Sequence, residues 1–298
     1  MKLPKIIGHR LSRHEGIYEN TLEGLKSVVP YADGVETDAV LSSDGFVFLV
    51  HDTLFTGYKA TYELEGRLRE DSRLLAGGRR IDQMTASEID NLALVDGQKI
   101  PRLEDIFPIL AQAPADFIVN LEIKAAGALA ASLEKIKAAE ERRLIRPGMF
   151  FFSSFNHVEL LKARQAFPGL PIGMLYEPGN TQKTPMYPWL QSEDGDYTPF
   201  SLERLTDSIF SDINPRYICL NEYDLNPHIV KAIHDHDAKL KIFVWWYYSE
   251  GEPANNTRLF NTLYYLDKAG LGDIVAGVIT DYPAQMKKQF ENFTTGTE

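Results

Sequence analysis

Short β-rich apolar runs alternate along the whole chain with longer stretches in which apolar residues recur at helical spacing, the order expected of a parallel sheet with crossover helices. Eight runs have the length and the β-branched or aromatic content of buried strands: 6–9, 34–40, 117–124, 149–153, 172–176, 217–220, 242–246 and 276–280. Helical patterns fall between them, among them 22–29, 128–141, 158–166 and 227–236. Asn226 stands before Pro227 as an N-cap, and Thr85 with Glu88 has the spacing of a capping box. Eight strand–helix units predict an α/β fold, a TIM (β/α)8 barrel, in which catalytic side chains gather at the C-terminal ends of the strands.

Two segments exceed a minimal barrel: an insertion after the second strand, at about 53–99, and another after the fifth, at about 178–214. Both are rich in Gly, Pro and charge and are expected to emerge on the face of the site as substrate-shaping lids. No repeat or interdomain linker interrupts the pattern, so residues 1–298 are expected to form a single domain. The one charge run, 67–73, reads as a solvated face.

A formal charge of −11 and a pI near 5.2 argue against a nucleic-acid or anionic-membrane surface, since both demand a basic face. An acidic protein that handles an anionic phosphate ester must supply a cation or a few aimed basic groups. The single cysteine, Cys219, excludes an intrachain disulfide and reads as a small buried apolar residue. The N-terminus enters a strand within a few residues, and no apolar run approaches a membrane span, so the expected location is cytoplasmic, with no integral membrane association.

Three acids interrupt runs that should be apolar. Alternation puts Glu36 and Asp38 on one face of the second strand, and Glu122 and Lys124 together on another strand. Buried carboxylates need a cation, and an oxygen-only set suits one divalent ion, Mg²⁺ or Ca²⁺. The turn-forming cluster Ser42-Ser43-Asp44-Gly45 suggests that the chain doubles back as a hairpin. A turn centred between Ser43 and Asp44 sets Glu36 opposite His51, beside the acids. His9 and Arg10 end the first strand, at the rim where a phosphate would sit. His14 lies in the first loop; His157, His228, His234 and His236 read as surface or packing residues.

Seven stretches, in order, resemble the signatures of glycerophosphodiester phosphodiesterases: Ile7-Gly8-His9-Arg10, Glu19-Asn20-Thr21-Leu22, Glu36-Thr37-Asp38, His51-Asp52, Ile100-Pro101-Arg102-Leu103-Glu104, Leu121-Glu122-Ile123-Lys124 and Ile279-Thr280-Asp281-Tyr282-Pro283. The resemblance implies a TIM barrel with the divalent ion on Glu36, Asp38 and Glu122, His9 and His51 as an acid–base pair, and Arg10 and Lys124 on the phosphate. It further implies a small-molecule phosphodiester substrate, cleaved to glycerol 3-phosphate and an alcohol, with the neighbouring glycerol hydroxyl attacking phosphorus to give a cyclic phosphate that water opens.

Departures from the pattern bear on the substrate. Leu11 stands where the family usually has Gly, the Arg-Thr-Thr pattern after His51-Asp52 is missing, and Trp245-Trp246-Tyr247-Tyr248 replaces a more polar strand ending. Trp245 in that aromatic wall is a candidate for substrate binding, suited to an apolar or choline-like head group. A lysophospholipid or another diester is therefore an alternative substrate. A binding protein of the same fold without turnover is the second class of reading, and it predicts an incomplete set of acids and histidines.

Overall fold

The computed structural model describes residues 3–11, 18–51, 67–177, 198–245 and 257–295. Nine strands occur among them: β1 Lys5–Gly8, β2 Gly34–Leu41, β3 Val47–Leu49, β4 Ile118–Ile123, β5 Phe150–Ser154, β6 Ile172–Leu175, β7 Tyr217–Asn221, β8 Lys241–Trp245 and β9 Val275–Thr280. Eight coincide with the runs read from the sequence, within a residue or two at each end. Their hydrogen-bonded order is β1-β9-β8-β7-β6-β5-β4-β2-β3, with β1 also paired to β2, and the fold is a (β/α)8 barrel. The described helices are α1 Leu22–Val28, α2 Glu70–Ala76, α3 Ala86–Asp90, α4 Phe107–Leu110, α5 Ala128–Glu141, α6 His157–Ala166, α7 Ser208–Ile213, α8 Pro227–His236, α9 Thr257–Lys268 and α10 Pro283–Thr295. None of them is long and apolar enough to cross a membrane.

Backbone contacts divide the chain into two compact units. The first comprises Met1–Gly8, Tyr31–Gly34 and Ser153–Glu298. In it β6, β7, β8, β9 and β1 pair in parallel, and one face is packed so tightly that glycine is required. Tyr217 meets Phe243 edge-on at 5.2 Å, and a Cβ at Gly277 would lie 2.5 Å from the Phe243 ring. Cys219 is fully buried, as its apolar reading expects, and its Sγ would lie 3.0 Å from a Cβ at Gly173. Asn226 caps α8 by accepting from the Ile229 amide, and Val230 and Ile233 form that helix's buried stripe. His157 is a packing residue: its buried Nε2 lies 2.8 Å from the Leu175 carbonyl, which only an N–H can satisfy.

The second unit comprises His9–Pro30 and Val35–Phe152. The hairpin β2–β3 opens it, and here the expected register is corrected. Observed pairs are Ala39 with Leu49, Val40 with Phe48 and Leu41 with Val47. The turn holds three residues instead of two, because Ser42 and Phe46 close it and Gly45 adopts φ +86°. Every partner is thus displaced by one residue, and continuation of the ladder sets Thr37, not Glu36, across from His51.

The first insertion contains a folded layer. Within residues 67–99, α2 and α3 bury Leu68, Ala76, Ile81, Met84, Ile89, Leu92 and Leu94 against Val40, Phe48 and Val50 of the hairpin. The described part is a packed addition to β2 and β3, not a loose lid, while 52–66 lies outside the described residues. The capping box of α3 is present, with Thr85 Oγ1 accepting from the Glu88 amide and Glu88 from the Thr85 amide. Of the second insertion, 198–214 forms a 3₁₀ turn and α7, and 178–197 lies outside the described residues.

Candidate active site

Strand alternation brings the three acids together. Glu36 and Asp38 project from one face of β2, Glu122 projects near the end of β4, and all three are buried. One carboxylate oxygen from each lies within 4.8 Å of the others. Glu36 Oε1 is buried without a hydrogen bond among the described residues, and Asp38 Oδ1 and Glu122 Oε1 face the Lys124 ammonium. Three buried carboxylates that share one ammonium carry more negative charge than it offsets, which a further cation would balance. The donor set fits a divalent ion with a preference for oxygen ligands.

Two acids sharing one site diverge in proton affinity. Burial raises the pKa of Glu36, and the adjacent Asp38 charge raises it further. Burial acts on Asp38 in the same sense, but Lys124, His51 and Arg10, together with the Asn20 amide, outweigh it and hold that carboxyl well below the usual range. Lys124 follows β4, and its ammonium pairs with Asp38 Oδ1 at 3.3 Å and with Glu122 Oε1.

The first loop is built on unusual backbone. Arg10, Leu11 and Asn20 all have positive φ, at 50°, 58° and 53°. Leu11, the departure from the family pattern, thus adopts the left-handed region that suits glycine, at a cost of about 1–2 kcal/mol that burial of its side chain offsets. The turn aims the Arg10 amide at Glu36 Oε2, 2.9 Å away, and leaves His9 Nε2 3.8 Å from the same oxygen. Asn20 ties the loop to β2: its amide N donates to the Arg10 carbonyl, its Nδ2 to Asp38 Oδ2 at 3.0 Å, and its Oδ1 accepts from Thr37 Oγ1 at 2.7 Å.

Glu19 completes the set. Its carboxylate takes Arg10 Nη1 at 3.0 and 3.1 Å and Arg67 Nη1 at 3.1 Å. Burial would raise its pKa, but those two guanidiniums bring it down to about 2, with His51 and His9 adding to the effect. Both histidines are therefore near this carboxylate, and His51 acts on Asp38 as well. The hairpin brings His51 to the acids despite the changed register.

Of the residues singled out in the sequence, His9, Arg10, Glu36, Asp38, His51, Glu122 and Lys124 come together in the second unit. Trp245 ends β8 in the first unit, where its ring meets Phe155 edge-on at 5.9 Å. His14, Asp52, Trp246, Tyr247 and Tyr248 lie outside the described residues. Glu19, Asn20 and Arg67 were not assigned to the site from the sequence. Glu19 and Asn20 belong to Glu19-Asn20-Thr21-Leu22, one of the seven stretches that carry the resemblance, and that membership is the signal that could have found them. Arg67 corrects the solvated-face reading of 67–73, since its side chain is only 15% exposed; Arg69 and Arg73 are exposed as expected.

Known proteins resemble this chain in sequence and in fold. A sequence model of the glycerophosphoryl diester phosphodiesterase family matches residues 8–285. A glycerophosphodiester phosphodiesterase of Caldanaerobacter subterraneus subsp. tengcongensis is 30% identical over 183 residues, covering 58% of this chain and 67% of the relative. The solved structure of an Oleispira antarctica phosphodiesterase in complex with the product sn-glycerol-3-phosphate has a TM-score of 0.62 at 20% identity and 97% coverage of each chain. A glycerophosphodiester phosphodiesterase from Thermotoga maritima has a TM-score of 0.58 at 22% identity, covering 97% of this chain and 99% of that one. These two likenesses show a shared fold.

Proposed function

Because the chain belongs to the glycerophosphoryl diester phosphodiesterase family, we propose that it hydrolyses glycerophosphodiesters to glycerol 3-phosphate and an alcohol, with residues 1–298 acting as a single domain. The observation that carries this reading is the convergence of Glu36, Asp38 and Glu122 within 4.8 Å, with His9 3.8 Å from Glu36. Glu36, Asp38 and Glu122 hold one divalent cation, Mg²⁺ or Ca²⁺. When bound, that ion offsets negative charge growing on the phosphoryl oxygens.

The chain's own groups move the protons. His51 takes the proton of the glycerol hydroxyl as its oxygen bonds to phosphorus. His9, protonated, gives its proton to the alcohol oxygen as the other P–O bond breaks, leaving a cyclic phosphate. Water then opens the ring with the two imidazoles in exchanged roles, so each ends as it began. Arg10 and Lys124 orient the phosphoryl group. The aromatic ending of β8 in the sequence makes a lysophospholipid the alternative substrate to test.

The deciding experiment is a panel of glycerophosphodiesters and lysophospholipids, each assayed with Mg²⁺, with Ca²⁺ and with chelator. Metal-dependent release of a phosphomonoester is expected. Silence across the panel would favour a binding protein that has the fold without turnover.

A further inference from the structure

Arg67 has no part in the chemistry described so far, yet its backbone is fixed on both sides. The Arg67 carbonyl accepts from the Val95 amide at 2.7 Å, and the Arg69 amide donates to the Ala93 carbonyl at 2.9 Å. Between these links the buried Leu68 bridges Leu94. The insertion's own core thus sets the point from which this side chain starts. From there the guanidinium turns inward and reaches Glu19 Oε1 at 3.1 Å, the oxygen that Arg10 Nη1 meets at 3.0 Å.

The charge balance of this triplet gives Arg67 a role. One carboxylate facing one guanidinium is neutral, and an incoming phosphate ester would have to compete with Glu19 for Arg10. A second guanidinium on the same carboxylate adds one positive charge beside Arg10, whose Nε also lies 3.9 Å from Asp38 Oδ2, in a largely buried setting where charge is little screened. Resting on the phosphodiesterase reading, we propose that Arg67 is a positioning residue: by sharing Glu19 it keeps Arg10 anchored while weakening that carboxylate's hold on Arg10 as the phosphoryl group approaches. The insertion after β3 would act on the substrate through Glu19, without touching it.

A double-mutant cycle on the full chain, with a glycerophosphodiester as substrate, tests this. Arg67→Ala should raise KM about tenfold while kcat changes less than about threefold, and Arg67→Lys should recover most of the loss. In a Glu19→Gln background the same Arg67→Ala change should add little, because the group it acts through is gone. A wild-type KM in Arg67→Ala, or an equal penalty in both backgrounds, overturns the proposal. If Arg67→Ala does not fold, Arg67→Gln takes its place in the cycle. Failure of the wild-type enzyme to cleave any diester would count against the phosphodiesterase reading instead. Binding of inorganic phosphate by calorimetry would then decide the role of Arg67: weaker binding in the variant supports it, and equal binding overturns it.

Discussion

Asn20 combines a left-handed backbone with three hydrogen bonds, and substitution can separate the two contributions. Asn20→Gly removes the side-chain bonds to Asp38 and Thr37 but relaxes φ, whereas Asn20→Ala removes the same bonds and keeps the strain. The glycine variant is expected to lose about 1–3 kcal/mol, the range for breaking buried hydrogen bonds, and the alanine variant up to about 1 kcal/mol more. Urea unfolding of the pair measures both terms, and an alanine variant as stable as the glycine one would remove the strain argument. Glu19 makes a pH prediction of defined sign. Its pKa falls from an ordinary 4.5 to about 2 in the folded chain, so its contribution is complete above about pH 4.5 and is lost as pH drops through 2. The shift corresponds to about 3 kcal/mol, and the acid slope of stability should be shallower in Glu19→Gln over that window. An unchanged slope would mean that the two arginines do not hold this carboxyl.

Glycines in two elements are required for different reasons, which gives a contrast at the scale of strands and turns. Gly45 has φ +86°, and a Cβ added there would meet no atom within 4 Å, so Gly45→Ala should cost only about 1 kcal/mol of backbone strain. Gly277 lacks space, not freedom: a Cβ would stand 2.5 and 2.7 Å from two Phe243 ring atoms, and Gly277→Ala should cost about 1–3 kcal/mol or more. Thermal unfolding should show the larger drop for Gly277→Ala, partly recovered by adding Phe243→Leu. The eight parallel strands were legible because buried strands announce themselves by length and apolar content, and the acids within them by breaking it. The hairpin register was not, because one turn residue, set by the φ of Gly45, displaces every partner. Arg67 was misread for a related reason. A local run of charges looks solvated, and only the tertiary fold brings Glu19 to one member of it.

At the scale of the molecule, a chain of formal charge −11 has to hold an anionic substrate. The described site sets the Arg10, Arg67 and Lys124 cations against the carboxylates of Glu19, Glu36, Asp38 and Glu122, leaving one net negative charge when all are ionised. A divalent cation reverses that sign, which is what a phosphodiester anion requires. The same ion relieves repulsion among three buried acids, so binding should couple to folding as well as to catalysis. An ion that binds the folded chain and not the unfolded one should make Tm climb with the logarithm of Mg²⁺ or Ca²⁺ concentration, and a hundredfold excess over Kd adds about 2.7 kcal/mol. Chelator should remove that gain together with turnover. Glu122→Gln deletes one ligand charge and should flatten the rise in Tm, whereas His51→Ala should abolish turnover and leave the rise intact. A titration with both metals that leaves Tm unchanged in the parent chain would take the cation out of the site, and with it the account of how so acidic a pocket admits phosphate.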